Sequence, residues 1–119
     1  MVLSSSPKTE SFPTVLSSNM KMEKQGEVLR ISQLAELGAA NANAFRDEAR
    51  AALGEEQKFI EIDLSNTDFI DSCGLGALIA LHKTACARKG VVRLINPRPP
   101  VQQVLELTRM HQLFQISKV

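Results

Sequence analysis

The clearest alternation of hydrophobic and polar positions in the chain is the segment 58–64. Its isoleucine and leucine residues alternate with Glu61 and Asp63, which predicts a strand with one buried face. A helical apolar period then occupies residues 72–89, and a second short apolar run follows at 91–95. A strand, a long helix and a strand predict a βαβ unit with two parallel strands.

The spacing within the long helix predicts which of its faces is buried. The inward positions at i, i+3 and i+4 are Leu75, Leu78, Ile79, His82 and Cys86. Gly90 is predicted to end this helix, and the basic residues just before it complement the negative end of the helix dipole.

Weaker patterns predict the remaining elements. Residues 1–20 are predicted to be an extension that is flexible or forms an edge strand, and residues 21–119 to be the domain. All segments together predict an α/β domain with the order β-β-α-β-α-β-α-β. The predicted strands are Met20–Lys24, Val28–Leu34, 58–64, 91–95 and Leu113–Ile116, with a turn at 25–27 and a connection at Ala35–Ala40. The predicted helices are Asn41–Leu53, with Phe45 and Ala49 facing inward, 72–89 and Pro99–Thr108.

Composition narrows the class of protein. The 119 residues carry a net charge of +1, which argues against nucleic-acid binding or membrane-surface binding driven by bulk charge. The aromatic residues are five Phe, with no Trp or Tyr, so stacking platforms for single-stranded nucleic acid are not expected. No signal peptide and no apolar run of about 20 residues is present, so a soluble, cytoplasmic protein without membrane insertion is expected.

The two cysteines, Cys73 and Cys86, both fall in the long predicted helix. Thirteen residues of helix separate them by roughly 20 Å, which is beyond the reach of a disulfide. We therefore expect both to be reduced, small hydrophobic residues. No Cys/His cluster along the chain has zinc-finger spacing, so no metal and no cofactor are predicted.

The junction before the long helix, Asp71-Ser72-Cys73-Gly74-Leu75, is the candidate functional site. Ser72 is predicted to be the helix N-cap, and Phe69 and Ile70 are predicted to enter the core beneath it. A helix N-terminus presents unpaired N–H groups and a partial positive charge, so it tolerates a phosphate on Ser72. Asp71 has two compatible interpretations, a local backbone partner that shapes the turn or part of a surface that a kinase recognises.

The run from Asp63 to Leu78, including Phe69-Ile70-Asp71-Ser72-Cys73-Gly74-Leu75-Gly76, resembles the signature of STAS domains, specifically the bacterial anti-sigma factor antagonists. The resemblance covers about residues 26–117. It implies a STAS-type fold, with a mixed sheet of four to five strands packed with three to four helices. Two departures stand out: Cys73 replaces a second hydroxyl residue, and Gly38 replaces an acidic residue.

The resemblance also implies a mechanism and its partners. Ser72 is the implied phosphoacceptor, and Asp71, Ser72, Cys73, Gly74 and Leu75 are the implied partner-binding residues. The unphosphorylated protein would bind an anti-sigma factor that is a serine kinase, and so release a sigma factor. That kinase would use ATP to phosphorylate Ser72, and a serine phosphatase would reverse the step. A homodimer is compatible with this arrangement.

Three alternatives use the same residues differently. A hydrolase is disfavoured because Ser72 has only half of a nucleophile elbow, and His82 lies roughly 15 Å away along the helix. Nucleotide binding is disfavoured because no Lys-Ser or Lys-Thr follows the Gly74-Leu75-Gly76 run. A STAS scaffold without phosphorylation, such as an accessory part of a transporter or a signalling assembly, stays open.

Overall fold

The computed structural model describes residues 20–119. Its strands are β1 (Lys21–Gln25), β2 (Val28–Ser32), β3 (Glu36–Leu37), β4 (Phe59–Asp63), β5 (Phe69–Ile70), β6 (Val92–Ile95) and β7 (Gln115–Ser117). Its helices are α1 (Ala42–Ala52), α2 (Ser72–Ala87) and α3 (Pro99–Leu107), with a 3₁₀ turn at Met110–Gln112. The prediction for the N-terminal extension, apart from Met20, concerns residues outside the described part of the chain.

The main sheet is mixed and has five strands in the order β1-β2-β4-β6-β7. The β1–β2 pair is antiparallel, and every other pair in this sheet is parallel. The hairpin turn at Gly26 has φ of 58°, a conformation that glycine adopts without strain. The parallel pairing of β4 with β6, joined through α2, confirms the predicted βαβ unit. A mixed sheet of five strands packed with three α-helices confirms the predicted fold class.

The core lies where the alternation of β4 predicted it. Ile60, Ile62 and Leu64 are all fully buried, as are Phe45 and Ala49 of α1. Helix α1 packs against α2, and both contribute to one hydrophobic cluster with the sheet. Among the helices of residues 20–119, none has the length and apolar character that crossing a membrane requires.

The opposite face of the sheet carries a ladder of charged side chains. Glu61 of β4 pairs with Arg30 of β2 at 3.1 Å and with Arg93 of β6 at 2.7 Å. Arg30 also reaches Asp63 at 3.5 Å. The parallel register places Glu61 directly opposite Arg30 and Arg93. The apolar residues of β4 thus face the core, and its acidic residues face the charged side of the sheet.

The structure contains two short strands that the sequence pattern did not predict. Glu36–Leu37 pairs in parallel with Phe69–Ile70 as a separate two-stranded sheet, where a connection and a core segment were predicted. Ile70 is buried as predicted, but the prediction for Phe69 is wrong because its side chain is 50% exposed. Two residues are too few to show a periodic pattern, so their pairing depends on tertiary structure.

The predicted inward face of α2 is partly wrong. Leu75 and Leu78 are buried, but Cys86 is exposed and His82 is half-buried. The buried positions also include Leu81 and Ala85, which shifts the inward face around the helix. Because α2 is apolar on nearly every face, its sequence period does not fix which face meets the core.

The ends of two elements also differ from the prediction. Lys89, not Gly90, takes the left-handed conformation after α2, with φ of 64°. Gly90 is required for another reason, because a Cβ there would overlap the backbone carbonyl of Lys58. The closing strand is Gln115–Ser117, two residues later at its start than predicted, and Phe114 before it is buried.

Candidate functional site

Asp71 caps helix α2. Its backbone is extended, with φ of −124° and ψ of −170°, and its Oδ1 accepts hydrogen bonds from the N–H groups of Cys73 (2.9 Å) and Gly74 (3.1 Å). The prediction that Ser72 is the N-cap is therefore wrong by one residue. Aspartate and serine are both favoured N-cap residues, and here the aspartate accepts the hydrogen bonds from the helix N–H groups.

The second oxygen of Asp71 connects the helix to the loop after β3. Its Oδ2 accepts a hydrogen bond from the N–H of Ala39 at 3.1 Å. The bond from Gly74 is the main cause that lowers the pKa of Asp71 below its ordinary value of 3.8. Desolvation acts in the opposite direction, and the bonds from Ala39 and Cys73 add to the lowering. The local structural interpretation of Asp71 is thus confirmed.

Ser72 is the first residue of α2, and its side chain is exposed. Within residues 20–119 its hydroxyl donates to and accepts from no other group, because Asp71 already performs the capping role. Cys73 beside it is a free thiol and is exposed as well. The hydroxyl and the thiol are adjacent on one surface at the positive end of the helix dipole.

Gly74 and Leu75 lie beneath this surface, since both are buried. A Cβ on Gly74 would overlap the backbone carbonyl of Leu37 in β3, so glycine at this position permits close packing at the helix start. Gly76 differs, because a Cβ there would meet no atom of residues 20–119 within 4 Å. The start of α2 is therefore held against β3, while its outer side is open.

Phe69 lies next to the candidate site, although its position in the sequence predicted it in the core. Its half-exposed ring lies beside Gly38, where an added Cβ would be 2.7 Å from the ring and 2.9 Å from Asp71 Oδ2. The departure from an acidic residue at position 38 thus leaves room for both Phe69 and the Asp71 carboxylate. No periodic signal marks Phe69 as exposed, because it lies in a two-residue strand.

The histidines lie against other groups. Both ring nitrogens of His82 lie near Cys86 Sγ, and its ring packs edge-to-face on Phe114 with 5.6 Å between centroids. His111 Nδ1 is 3.5 Å from the carbonyl oxygen of Leu105. Neither contact brings an imidazole to Ser72, and the base that a serine nucleophile needs would lie within about 3 Å of its hydroxyl.

Comparison with known proteins places these features in a family context. The sequence model of the STAS domain family matches residues 19–119 of this chain. A STAS-domain containing protein of Pseudomonas aeruginosa (strain UCBPP-PA14) is 32% identical over 73 residues, 61% of this chain and 71% of that protein. The anti-sigma F factor antagonist of Paenibacillus polymyxa is 26% identical over 98 residues, 82% of this chain and 84% of that protein.

Solved structures share the fold at lower identity. The anti-sigma factor antagonist SpoIIAA in its unphosphorylated form superposes with a TM-score of 0.72 at 21% identity, covering 82% of this chain and 86% of that one. The phosphorylated form of SpoIIAA from Bacillus gives a TM-score of 0.65 at 20% identity, over 82% and 89% of the two chains. The murine anion transporter Slc26a9 gives 0.66 at 20% identity, over 79% of this chain but 16% of the transporter.

Proposed function

Because this chain belongs to the STAS domain family, we propose that it is an anti-sigma factor antagonist that phosphorylation of Ser72 switches off. In its unphosphorylated form it binds an anti-sigma factor that is also a serine kinase, and the bound sigma factor is released. The kinase then transfers phosphate from ATP to Ser72, and a serine phosphatase restores the active form. The chain is a substrate of these enzymes and not itself an enzyme, and it acts in the cytoplasm.

The observation that carries the proposal is the exposed hydroxyl of Ser72 at the first position of α2, which has no hydrogen-bond partner within residues 20–119. Asp71 satisfies the N–H groups of Cys73 and Gly74, so the helix start does not depend on the serine side chain. A kinase can therefore modify Ser72 without first breaking a hydrogen bond to any of the described residues. The phosphate would lie at the positive end of the helix dipole, which stabilises anionic groups.

Electrostatics explains why the same phosphate would weaken a complex. Phosphorylation adds about −1.5 to −2 charges at neutral pH. Asp71 already presents a carboxylate one residue away. In a partner interface that excludes water, the combined negative charge must be desolvated, and a penalty of a few kcal/mol weakens binding by two orders of magnitude or more. Complex formation would thus change strongly while the fold stays the same.

Two similar proteins support the proposal of an anti-sigma factor antagonist. The Paenibacillus polymyxa protein is named as an anti-sigma F factor antagonist, and the two are similar over most of both chains. SpoIIAA, which shares the fold, is described in an unphosphorylated and a phosphorylated form. Position 73 is a cysteine, so Ser72 is the single hydroxyl residue among positions 71–75. We therefore assign the modification to Ser72.

The test compares two variants of the full chain as baits in extracts of the native cells. Ser72→Ala, which cannot be phosphorylated, is expected to retain a protein kinase in the presence of ATP. Ser72→Glu is expected to lose that kinase while its melting temperature stays close to that of the wild type. Gln103→Glu, which adds one negative charge on the exposed side of α3, is the matched control and is expected to bind like the wild type.

A different outcome would favour the second candidate, a STAS scaffold without a phosphorylation switch. The likeness to part of the murine anion transporter is the observation behind this candidate. If Ser72→Glu retained the same partners as Ser72→Ala, with the same affinity, the proposed switch would be wrong. The partners identified in that experiment would then define the assembly in which the scaffold acts.

A further inference from the structure

The loop after β3 is attached to the start of α2 by two hydrogen bonds of different kinds. The backbone N–H of Asp71 donates to the carbonyl oxygen of Leu37 at 3.2 Å, and the N–H of Ala39 donates to Asp71 Oδ2 at 3.1 Å. The first bond joins two backbone groups, whereas the second ends on a carboxylate. Because only the second bond involves an ionised group, it is the one that a new charge beside Asp71 affects most.

The amide that precedes Ala39 is held in another way. The N–H of Gly38 donates to Asn41 Oδ1 at 2.9 Å, and the Asn41 side chain in turn donates to the carbonyl oxygen of Glu36 at 2.8 Å. Gly38 is buried, while Ala39 is exposed to solvent. Two neighbouring amides of one loop therefore have different acceptors, and of the two it is the amide of Ala39 that depends on Asp71.

The two carboxylate oxygens of Asp71 are not equally secured. Oδ1 accepts hydrogen bonds from Cys73 and Gly74, whose N–H groups are held in place by the helix backbone. Oδ2 accepts from Ala39 alone among the side-chain and backbone donors of residues 20–119. An exposed hydrogen bond is exchanged for one to water at a small net cost. The bond to Ala39 is therefore the weaker attachment of this carboxylate.

A phosphate on Ser72 would place a second anion next to the Asp71 carboxylate. It adds about −1.5 to −2 charges at neutral pH and three strong acceptor oxygens. The positive end of the α2 dipole attracts both anions, and the two anions repel each other. The repulsion favours arrangements that move the carboxylate away from the phosphate, and such a movement breaks the weaker of its attachments first.

We propose that phosphorylation of Ser72 disrupts the hydrogen bond between Asp71 and Ala39 and so releases the exposed residues Ala39 and Ala40 from the start of α2. The inference rests on the proposed function, because it requires the phosphate on Ser72, and it adds a change of shape to the change of charge. With the bond intact, the loop and Ser72 form one connected surface. A partner that contacts both would have to order the released loop again, which costs binding free energy.

The experiment measures the exchange of backbone amide protons with solvent by NMR in the full-length protein. The modified sample carries phosphoserine at position 72, introduced during translation, so that no kinase has to be identified. The exchange rate of the Ala39 amide is expected to rise about fivefold relative to the unmodified protein, the size expected for the loss of one exposed hydrogen bond. The Gly38 amide is the internal control, and its rate is expected to stay unchanged because it donates to Asn41.

Asp71→Asn separates the bond to Ala39 from the cap of α2. Asparagine keeps one oxygen for the N–H groups of Cys73 and Gly74, but it presents its NH₂ group, a donor, towards the N–H of Ala39. Without any phosphate, this variant is expected to show the same rise at Ala39. Gln103→Glu adds a negative charge on the exposed side of α3 and is expected to exchange like the unmodified protein. Thermal melting verifies that each sample is folded.

Three results would overturn the proposal. An Ala39 rate that phosphoserine leaves unchanged while Asp71→Asn raises it would show that the bond does not respond to the phosphate. An Ala39 rate that Asp71→Asn leaves unchanged would show that the carboxylate does not protect this amide. An equal rise at Ala39 and Gly38 would show a general loosening of the loop. The proposed function fails by a different result, namely cells that leave Ser72 unmodified.

Discussion

Asp71 accepts a hydrogen bond from the backbone N–H of Ala39 at 3.1 Å, although 32 residues separate the two in sequence. The same carboxylate caps α2 through its other oxygen. One side chain therefore connects the loop after β3 to the start of the helix that presents Ser72. This connection fixes the backbone around Ser72 relative to the loop after β3.

The first prediction concerns the cap. Asp71→Ala removes the acceptor for the N–H groups of Cys73, Gly74 and Ala39, so its melting temperature is expected to fall by roughly a few degrees at neutral pH. Asp71→Asn keeps a capping oxygen and is expected to lose less. Differential scanning calorimetry of the three proteins provides the measurement. Equal melting of wild type and Asp71→Ala would contradict the capping role.

The pH dependence of this effect follows from the lowered pKa of Asp71. A depressed pKa contributes stability that is complete above the ordinary value of 3.8 and is lost as the pH falls through the folded-state value. The melting gap between wild type and Asp71→Ala is therefore expected to stay constant from about pH 5 to 8 and to close in strong acid. Asp71→Asn, which does not titrate, should keep a constant gap to Asp71→Ala throughout.

The second prediction compares two glycines of the same helix. Gly74→Ala places a methyl group against the carbonyl of Leu37 and is expected to destabilise the fold by about 1–3 kcal/mol. Gly76→Ala adds a methyl group that meets no atom of the described residues within 4 Å, and it is expected to stabilise the fold by about 0.5–1 kcal/mol, because alanine loses less backbone entropy in a helix. Urea unfolding measures both. If the two substitutions had the same sign and size, the close contact between α2 and β3 would be refuted.

The third prediction concerns the charged ladder on the sheet. Glu61→Gln removes the charge between Arg30 and Arg93, all three of which are half-buried, and is expected to cost about 1–2 kcal/mol of unfolding free energy. The control is Asp47→Asn, which breaks the surface pair with Arg46 and is expected to change stability by less than about 0.5 kcal/mol. A Glu61→Gln protein as stable as the control would show that the ladder contributes nothing.

The fourth prediction extends the candidate surface to Phe69. An exposed aromatic ring beside Asp71 suits an anchor in a partner interface, so Phe69→Ala is expected to weaken partner binding at least tenfold. Its stability should change little, because half of the side chain is already in water. Leu107→Ala on α3 removes a side chain that is 77% exposed and serves as the control. If the two variants bound equally well, Phe69 would lie outside the interface.

The sequence predicted the parts of the fold that have long, regular patterns. The alternation in β4 predicted its buried face, and the apolar run of α2 with its flanking strands predicted a parallel βαβ unit. The junction before α2 at residues 71–75 could also be located, because the change from a strand through a turn to a helix is marked by residue type. These features depend on local pattern and are visible in one chain.

What could not be predicted depends on tertiary contacts. Asp71 and Ser72 are equally suited to cap a helix, and only the contact of Asp71 with Ala39 distinguishes them. The pairing of β3 with β5 joins two dipeptides, which exposes Phe69 without any sequence signal. The outward position of His82 and Cys86 was hidden because α2 is apolar nearly all around.

The most direct test of the central claim is phosphopeptide mass spectrometry of the protein isolated from its native cells, grown with and without stress. We predict a phosphate on the peptide that contains Ser72, with an occupancy that changes between the two conditions. The same peptide from a Ser72→Ala strain should carry none. Full coverage of the Ser72 peptide in unmodified form, under every condition, would contradict the phosphorylation switch.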